Sequence, residues 1–332
     1  VTVSGIKDYA GVKTQTFPID ARDINTASLA YTTPVVYQKP ADPTEPGIIS
    51  EPTLTYNGRT LKKGTDYDVT FENNEAVGQA KFTVKGKGNF TGNVEKNYSI
   101  STADINDTTY MTYSGVDAEY TYTGTAIEPT VILKQNGVQL EKGTDYSVTY
   151  SNNTKIGTAH IYISGEGNYK NSETELTFEI TKAKITAAVV DAIDDQEFTG
   201  KAIKPAFAVS VDGVALTAGV DFDVDYADNI EAGKATITLT GKNNYTGTKT
   251  TSFGILKDIS TNTNTVKIAP IEAQEYAGDA VKPDIVVTDT YQDGTTVYTL
   301  EASKDYTVDY AANNDIGTAT VTVTGKGYYK NS

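Results

Sequence analysis

The stretch GTDYSVTYSNNTKIGTAHIYISGEGNY, residues 143–169, contains two runs in which apolar and polar side chains alternate. In the first run Val148 and Tyr150 alternate with Ser and Thr, and in the second Ile161 and Ile163 lie on the face opposite His160. A period of two with one apolar face predicts a strand that is buried on one side. The Asn and Gly residues between the runs are typical of a turn, so the stretch predicts two successive strands.

This stretch is one of four copies in the chain. Its Asp145 recurs as Asp66, Asp221 and Asp305, and the intervals along the chain are 79, 76 and 84 residues. After each Asp, an Asn follows at 8 positions, Gly at 12, Ala at 14, Gly at 20 and an aromatic residue at 24. We interpret the Asp and Asn as braces of turns and the recurring aromatic residues as core. Four copies in one register indicate an array of related domains.

Each copy also has recurring features before its Asp. An aromatic residue opens the segments Tyr122-Thr-Gly124, Phe198-Thr-Gly200 and Tyr276-Ala-Gly278, whereas the first copy has Tyr37-Gln-Lys in that place. An Asn-Gly or Asp-Gly pair then follows at 57–58, 136–137, 212–213 and 293–294. Because these residues tolerate positive φ at both positions, the pairs predict tight hairpin turns.

The copies define the predicted domains. Residues 1–19 match the tail of a preceding repeat, and we place repeat one at 20–100, repeat two at 101–181, repeat three at 182–257 and repeat four at 258–332. Repeat four stops before its closing strand. Several short strands in about 80 residues, without a helical period, are typical of a β-sandwich. We expect an all-β array whose short links make it a stiff, elongated rod, about 35–40 Å per repeat.

Composition excludes several classes of function. The net charge of −15 argues against binding to nucleic acid or to anionic membrane surfaces. There is no Cys, so disulfides and thiolate metal sites are excluded, and no apolar run approaches the roughly 18 residues of a membrane span. His160 is the single His, and we interpret it as a solvent-facing strand residue. We therefore expect no enzyme, no catalytic residues, no cofactor and no metal site.

A few polar and aromatic clusters remain as binding candidates. Asp221, Asp223 and Asp225 share one strand face and could hold Ca²⁺, but a solvated acidic face is the preferred interpretation, since the other repeats dilute the cluster. Non-repeating residues are more informative, because a binding surface would distinguish one repeat from another. These candidates lie at the start of repeat two and in a longer hairpin of repeat four: Tyr110, Tyr113, Tyr120, Tyr291, Gln292 and Asp293.

The motif running from Tyr122-Thr-Gly124 through Asn136-Gly137 and Gly143-Thr-Asp-Tyr146 to Gly165-Glu-Gly-Asn-Tyr169 resembles a known family. It is similar to the bacterial immunoglobulin-like repeats of large surface and secreted proteins of gut clostridia and related Gram-positive bacteria. The resemblance covers nearly the whole chain and implies tandem immunoglobulin-like β-sandwiches outside the cell, on the bacterial surface or secreted. It implies no specific binding residues.

Two functions remain open. The first is a non-catalytic cell-surface repeat region that acts as an adhesin or stalk and binds a host protein, including immunoglobulin, or a host glycan. The alternative is an accessory spacer or carbohydrate-binding region of a secreted glycoside hydrolase. The absence of Trp, a favoured platform for sugars, ranks the alternative lower. We expect no nucleic acid partner, no membrane insertion of this segment and a monomeric chain.

Overall fold

The computed structural model describes residues 1–42 and 44–331. In these residues the chain is all-β, and its helical segments are the single 3-10 turns Ile24–Thr26, Gly167–Tyr169 and Ile185–Ala187. The chain divides into two compact units. The first comprises Val1–Ala118, Glu128–Asn153 and Thr158–Phe178, and the second comprises Glu119–Ile127, Thr154–Gly157 and Glu179–Ser332.

The first strands form a small hairpin, and repeat one follows. The hairpin consists of β1 (Thr2–Ser4) and β2 (Val12–Thr14), which pair antiparallel with Ser4 opposite Val12. The strands of repeat one are β3 (Arg22–Asp23), β4 (Ser28–Ala30), β5 (Val35–Val36), β6 (Thr53–Tyr56), β7 (Arg59–Thr60), β8 (Tyr67–Glu72), β9 (Gly78–Gly86), β10 (Phe90–Thr91) and β11 (Asn93–Ser101). They form one sheet in the order β4-β6-β7 and another in the order β5-β11-β9-β8.

Repeat two has the same pairing pattern. Its strands are β12 (Met111–Ser114), β13 (Glu119–Thr121), β14 (Ile132–Gln135), β15 (Val138–Gln139), β16 (Tyr146–Ser151), β17 (Gly157–Gly165) and β18 (Glu173–Thr181). The sheet β12-β14-β15 corresponds to β4-β6-β7. Strands β16 and β17 pair antiparallel with Val148 opposite Ile163, and β13 pairs parallel with the end of β18.

Repeat three shows how the two sheets share one core. Its strands are β19 (Ala183–Lys184), β20 (Val189–Val190), β21 (Gln196–Glu197), β22 (Val209–Val211), β23 (Val214–Ala215), β24 (Phe222–Ala227), β25 (Gly233–Gly241), β26 (Tyr245–Thr246) and β27 (Thr248–Asp258). The sheets are β20-β22-β23 and β21-β27-β25-β24. Val209 of the first sheet is buried in the same cluster as Ile237 and Phe253 of the second, so the sheets face each other across an apolar layer.

Repeat four contains β28 (Val266–Ile268), β29 (Val287–Thr290), β30 (Val297–Thr299), β31 (Tyr306–Ala311), β32 (Thr320–Gly325) and β33 (Tyr329–Lys330). One sheet has the order β28-β29-β30, and β31 pairs with β32. Its core contains Val287, Leu300, Tyr306 and Val323. The prediction of tandem immunoglobulin-like β-sandwiches is confirmed, while the exact domain boundaries remain predictions from the sequence.

The predicted hairpin turns are correct for three repeats. Asn57-Gly58, Asn136-Gly137 and Asp212-Gly213 have positive φ at both residues, as the tight turn requires. The fourth turn differs, because Gly294 has a φ of 71° but Asp293 is not among the positive-φ residues. Here the carboxylate of Asp293 accepts hydrogen bonds from the backbone N–H groups of Thr295 and Thr296, which supports a longer loop.

The recurring Asp is a turn brace, as its spacing predicts. One carboxylate oxygen of Asp66, Asp145, Asp221 and Asp305 accepts a hydrogen bond of 2.8–2.9 Å from the backbone N–H four residues earlier in the chain. The bond holds the turn that leads into the next long strand. The recurring Asn has a similar role at Asn229, whose amide donates to the carbonyl of Ile203 at 2.8 Å.

Candidate functional site

The aromatic residue that opens the recurring segment before each Asn-Gly or Asp-Gly turn lies where one repeat meets the next. We call Tyr37, Tyr122 and Phe198 the junction aromatics. They occupy equivalent places, because each N–H donates at 2.8–2.9 Å to a carbonyl near the end of β11, β18 or β27: Ser101, Thr181 and Leu256. At the first two junctions this ring packs against the aromatic residue that follows the recurring Asp of the next repeat by 24 positions: Tyr37 against Tyr169 and Tyr122 against Tyr245. Successive repeats therefore meet at a recurring set of side chains.

At the first junction, polar groups surround two rings in edge-to-face contact. Tyr37 of repeat one packs edge-on against Tyr169 of repeat two, with ring centroids 5.6 Å apart. The amide of buried Gln135 donates to the Tyr37 carbonyl at 2.9 Å, and its oxygen accepts from the Tyr169 hydroxyl and the Lys39 N–H at 2.8 Å. The Lys39 ammonium also pairs with Asp145. Both the nitrogen and the oxygen of the Gln135 amide therefore have hydrogen-bond partners.

The second junction is mainly apolar. Tyr122 packs edge-on against Tyr245, with ring centroids 5.7 Å apart, and lies against the core of repeat three. Gly124 has a φ of 81°, and a Cβ at this position would lie 3.2 Å from a methyl group of Val214. The glycine therefore permits both the backbone conformation and the close approach of the Tyr-Thr-Gly segment to the next hairpin.

The third junction contains a buried ion pair. The ammonium of Lys257 lies 2.7 and 2.8 Å from the two carboxylate oxygens of Asp289, and both side chains are 0% exposed. The Tyr329 hydroxyl donates to Asp289 at 3.2 Å, and the ring of Phe198 lies 4.2 Å from the ammonium. Burial raises the pKa of Tyr329, and the neighbouring Asp289 carboxylate raises it further. Tyr329 therefore acts as a neutral hydrogen-bond donor at this junction.

The three junctions place different residue pairs at equivalent positions. The N–H groups of Ala103, Ala183 and Lys257 donate to the carbonyl that precedes the junction partner ring: Asn168, Asn244 and Tyr328. Lys257 pairs with Asp289, which lies two residues after buried Val287. At the other two junctions the equivalent place is taken by Gln135, two residues after buried Leu133, and by Val211, two residues after buried Val209. Lysine thus replaces alanine at the one junction where an aspartate lies opposite. The two charges occur together because either one buried without the other would be strongly unfavourable.

A cleft beside the third junction includes the predicted residues of the repeat-four loop. Its volume is about 700 Å³, and Tyr291, Gln292 and Asp293 line it together with Glu231 of repeat three. The Gln292 N–H donates to the Glu231 carboxylate at 2.6 Å. The Thr296 hydroxyl and nearby backbone N–H groups lower the pKa of Asp293 to about 2, so this loop is anionic. The structure brings these three sequence candidates together at one cleft.

The three candidates of repeat two are half-buried and lie apart from that loop in sequence. The Tyr110 hydroxyl accepts a hydrogen bond from the Asp104 N–H at 3.1 Å, and the Tyr113 hydroxyl donates to the Ile105 carbonyl. Tyr120 lies on β13 opposite Ile180. Burial raises the pKa of Tyr110 and of Tyr113. These contacts hold the start of repeat two against its own strands.

The remaining chemical candidates have local partners. His160 contacts Glu175 and stacks on Tyr162, with ring centroids 6.1 Å apart. Asp221 braces its turn, and Asp223 lies 3.2 Å from the Lys242 ammonium. Within residues 1–42 and 44–331, no group of three or more His, Asp or Glu side chains is arranged to hold a metal ion. The described segments also include no helix long and apolar enough to span a membrane.

Comparisons with known proteins give low similarity. No protein-family profile and no curated protein matches the chain. Among solved structures, it is similar to domains 1–6 of the surface layer protein SbsC, with 14% identity, a TM-score of 0.23, and coverage of 98% of this chain and 52% of that one. The chain thus spans about half the length of that structure.

Two further solved structures resemble the chain as weakly. Protocadherin gammaB7 EC3-6 is 13% identical, with a TM-score of 0.18, over 78% of this chain and 83% of that one. SbsC domains 4–9 are also 13% identical, with a TM-score of 0.20, over 90% of this chain and 71% of that one. At such TM-scores the likeness carries no argument about function.

Proposed function

We propose that the chain is a non-catalytic, extracellular repeat region that supports and spaces other parts of a bacterial surface protein. The observation that carries this proposal is the recurring junction, at which an aromatic side chain of one repeat packs into the next. Tyr37 and Tyr122 contact rings of the following repeat. Phe198 lies against the ammonium of Lys257 in its own repeat, and that ammonium pairs with Asp289 of repeat four. Such contacts resist the bending of one repeat against the next, which a supporting region requires.

The supporting role predicts that a junction aromatic stabilises the repeat that follows it. Tyr122→Ala is expected to lower the stability of repeat three by about 1–2 kcal/mol, because the ring covers Tyr245 and part of the core. Hydrogen exchange of amides in β25 and β26 measures this loss, with amides of repeat one as an internal reference.

Tyr276→Ala is the matched control for that experiment. Tyr276 occupies the same motif position in repeat four, but its side chain is 61% exposed. Its replacement is expected to change exchange little. Equal effects of the two substitutions, or no effect of Tyr122→Ala, would show that the junction ring does not couple the repeats.

We further propose that the array has an adhesive surface for a host protein, immunoglobulin included, or a host glycan. The repeat-four loop at Tyr291, Gln292 and Asp293 is the first candidate, because it is longer than its counterparts and lines a cleft. The second candidate surface consists of Tyr110, Tyr113 and Tyr120. The alternative is an accessory role beside a secreted glycoside hydrolase. Binding of a glycan supports this alternative, whereas binding of a protein does not.

The adhesive role can be tested with the intact chain on a glycan array and by pull-down from host secretions. Combined Ala substitution at 291–293 is expected to weaken capture at least about tenfold, while thermal unfolding stays near that of the parent. Combined Ala substitution at 110, 113 and 120 tests the second surface. Unchanged capture by both variants, or no capture by the parent, would contradict the adhesive proposal.

A further inference from the structure

In repeats one, two and three, an early strand pairs with the last strand of the same repeat. In repeat one β5 pairs parallel with the end of β11, and in repeat two β13 pairs parallel with the end of β18. In repeat three β21 pairs parallel with β27. We call these three strand pairs the terminal clamps. Their hydrogen bonds join the two ends of each repeat, where the chain enters it and leaves it.

The parallel order of the strands decides how a terminal clamp responds to tension. A stretched chain pulls the early strand toward the start of its repeat and the last strand toward its end. Two parallel strands pulled in this way slide along one another, so all hydrogen bonds of the clamp are strained together. The two strands of a hairpin would instead open from one end, one bond at a time. Until the clamp breaks, the chain between its two strands carries no tension.

The chain has little slack between a terminal clamp and the following repeat. Ser101 accepts a hydrogen bond of the first clamp, and two residues later the N–H of Ala103 donates to the Asn168 carbonyl of repeat two at 3.1 Å. Strand β27 continues from the third clamp into repeat four, where Lys257 and Asp258 pair parallel with β33. Tension therefore passes from one repeat to the next without first extending a linker.

The third clamp shows which backbone groups bear the load. Gln196 lies opposite Ile255 and Glu197 opposite Leu256, and the N–H of Phe198 donates to the Leu256 carbonyl at 2.8 Å. Because the N–H groups of successive residues on a strand point in opposite directions, that of Gln196 also faces β27. The N–H of Glu197, between them, faces away from β27. Adjacent residues of one strand thus differ in whether they contribute to the clamp.

We propose that the array is a load-bearing tether whose repeats are kept folded under tension by the terminal clamps. The proposal rests on the supporting role proposed above and specifies the load as tension along the chain. Such a load arises when the two ends of a surface protein are held by different bodies, for example a cell and the surface to which it attaches. An array that only spaces its neighbours would keep the coupling through Tyr122, but its clamps would have no special response to force.

The test holds the intact chain by its two ends in optical or magnetic tweezers and measures the rate of unfolding at constant force. Gln196→Pro removes one hydrogen bond of the third clamp, and it is expected to raise the forced unfolding rate of repeat three at least about fivefold. Glu197→Pro is the first control, because a proline there lies in the same strand but removes no bond to β27. Its rate is expected to stay within about twofold of the parent.

Asp225→Pro is the second control, because it removes a hydrogen bond outside the clamp. Asp221 accepts a hydrogen bond from the Lys242 N–H, so alternate residues of β24, including Asp225, face β25. Hydrogen exchange without force is expected to show at least as large a loss of stability of repeat three as Gln196→Pro causes. Under force, its unfolding rate is nevertheless expected to stay within about twofold of the parent.

An ester bond provides a variant that does not depend on tolerance of proline. The α-hydroxy analogue of glutamine at position 196 replaces the same N–H by oxygen without adding a ring, and the forced unfolding rate is expected to rise as in Gln196→Pro. An ester variant that unfolds under force like the parent would overturn the proposal. So would a forced unfolding rate that rises as much in Glu197→Pro or Asp225→Pro. Either result would leave the supporting role, which is tested at Tyr122, unaffected.

Discussion

Replacing Lys257 with Met, while Asp289 is retained, is expected to destabilise repeat four by about 3–5 kcal/mol. The substitution keeps most of the side-chain length but leaves a fully buried carboxylate without its cation. The 3.2 Å hydrogen bond from the Tyr329 hydroxyl does not replace the lost charge. Asp289→Val is expected to cost a similar amount, because it leaves the ammonium of Lys257 buried without an anion. A single repeat has a small margin of stability, so either loss is large enough to unfold it.

The double variant separates the cost of an unpaired charge from the value of the ion pair. Lys257→Met with Asp289→Val makes this junction apolar, as Ala183 and Val211 make the second junction. Its stability is expected to return to within about 1 kcal/mol of the parent, or to exceed it. Denaturant unfolding of the four proteins closes the cycle.

Lys330→Met is the matched control for the Lys257 substitution. Lys330 pairs with Glu197 at 2.6 Å across the same junction, but both side chains are partly exposed to solvent. Its loss should cost less than about 1 kcal/mol. Single variants at 257 and 289 that unfold like the parent would contradict the buried environment described for the pair.

Replacing Val148 with Asp is expected to unfold repeat two, with a loss of at least about 3 kcal/mol. Val148 lies opposite Ile163 on the core-facing side of β16 and β17, and Ile163 is fully buried. A carboxylate at this place must be desolvated or must take up a proton, and both cost free energy. Limited proteolysis should then cut within 101–181 first, while repeats one and three stay protected.

Thr149→Asp is the control on the other face of the same strand. Thr149 is exposed opposite Tyr162, so its replacement should change stability by no more than about 0.5 kcal/mol. If Thr149→Asp unfolds repeat two and Val148→Asp does not, the assignment of the two strand faces is reversed.

The strands and turns could be predicted because their causes are local. These causes are the alternation along a strand, the Asn-Gly pairs and the recurring Asp, each of which acts within a few residues. Each signal can be recognised in one repeat and then compared with the other three. The turn at Asp293-Gly294 was predicted incorrectly, since the longer loop uses the Asp293 carboxylate as a brace instead of a positive φ. The same dipeptide forms different turns when the loop around it has a different length.

The junctions could not be derived in the same way, because their causes lie in two repeats at once. The recurring aromatic residues were assigned to the core, but Tyr122 also covers the core of the repeat that follows. Alignment on the shared pattern of Phe178-Glu-Ile180 and Phe253-Gly-Ile255 matches Lys257 with Lys182, which is exposed. Repeat three is one residue shorter after this pattern, so backbone pairing matches Lys257 with buried Ala183 instead. In the sequence, this one-residue difference is the signal that could have indicated that Lys257 is buried.

The ion pair at the third junction also restricts the order in which these repeats can be joined. If a recombination event placed repeat four (258–332) directly after repeat two (101–181), Lys257 would be absent and the carboxylate of Asp289 would be buried without its cation. If repeat three were followed by a second copy of itself, Lys257 would lose Asp289 as its partner. Both products would contain intact folds but a defective connection. Gene duplication within such an array therefore succeeds most easily where the junction is apolar. Recombination that separates repeat three from repeat four is disfavoured, because it separates Lys257 from Asp289.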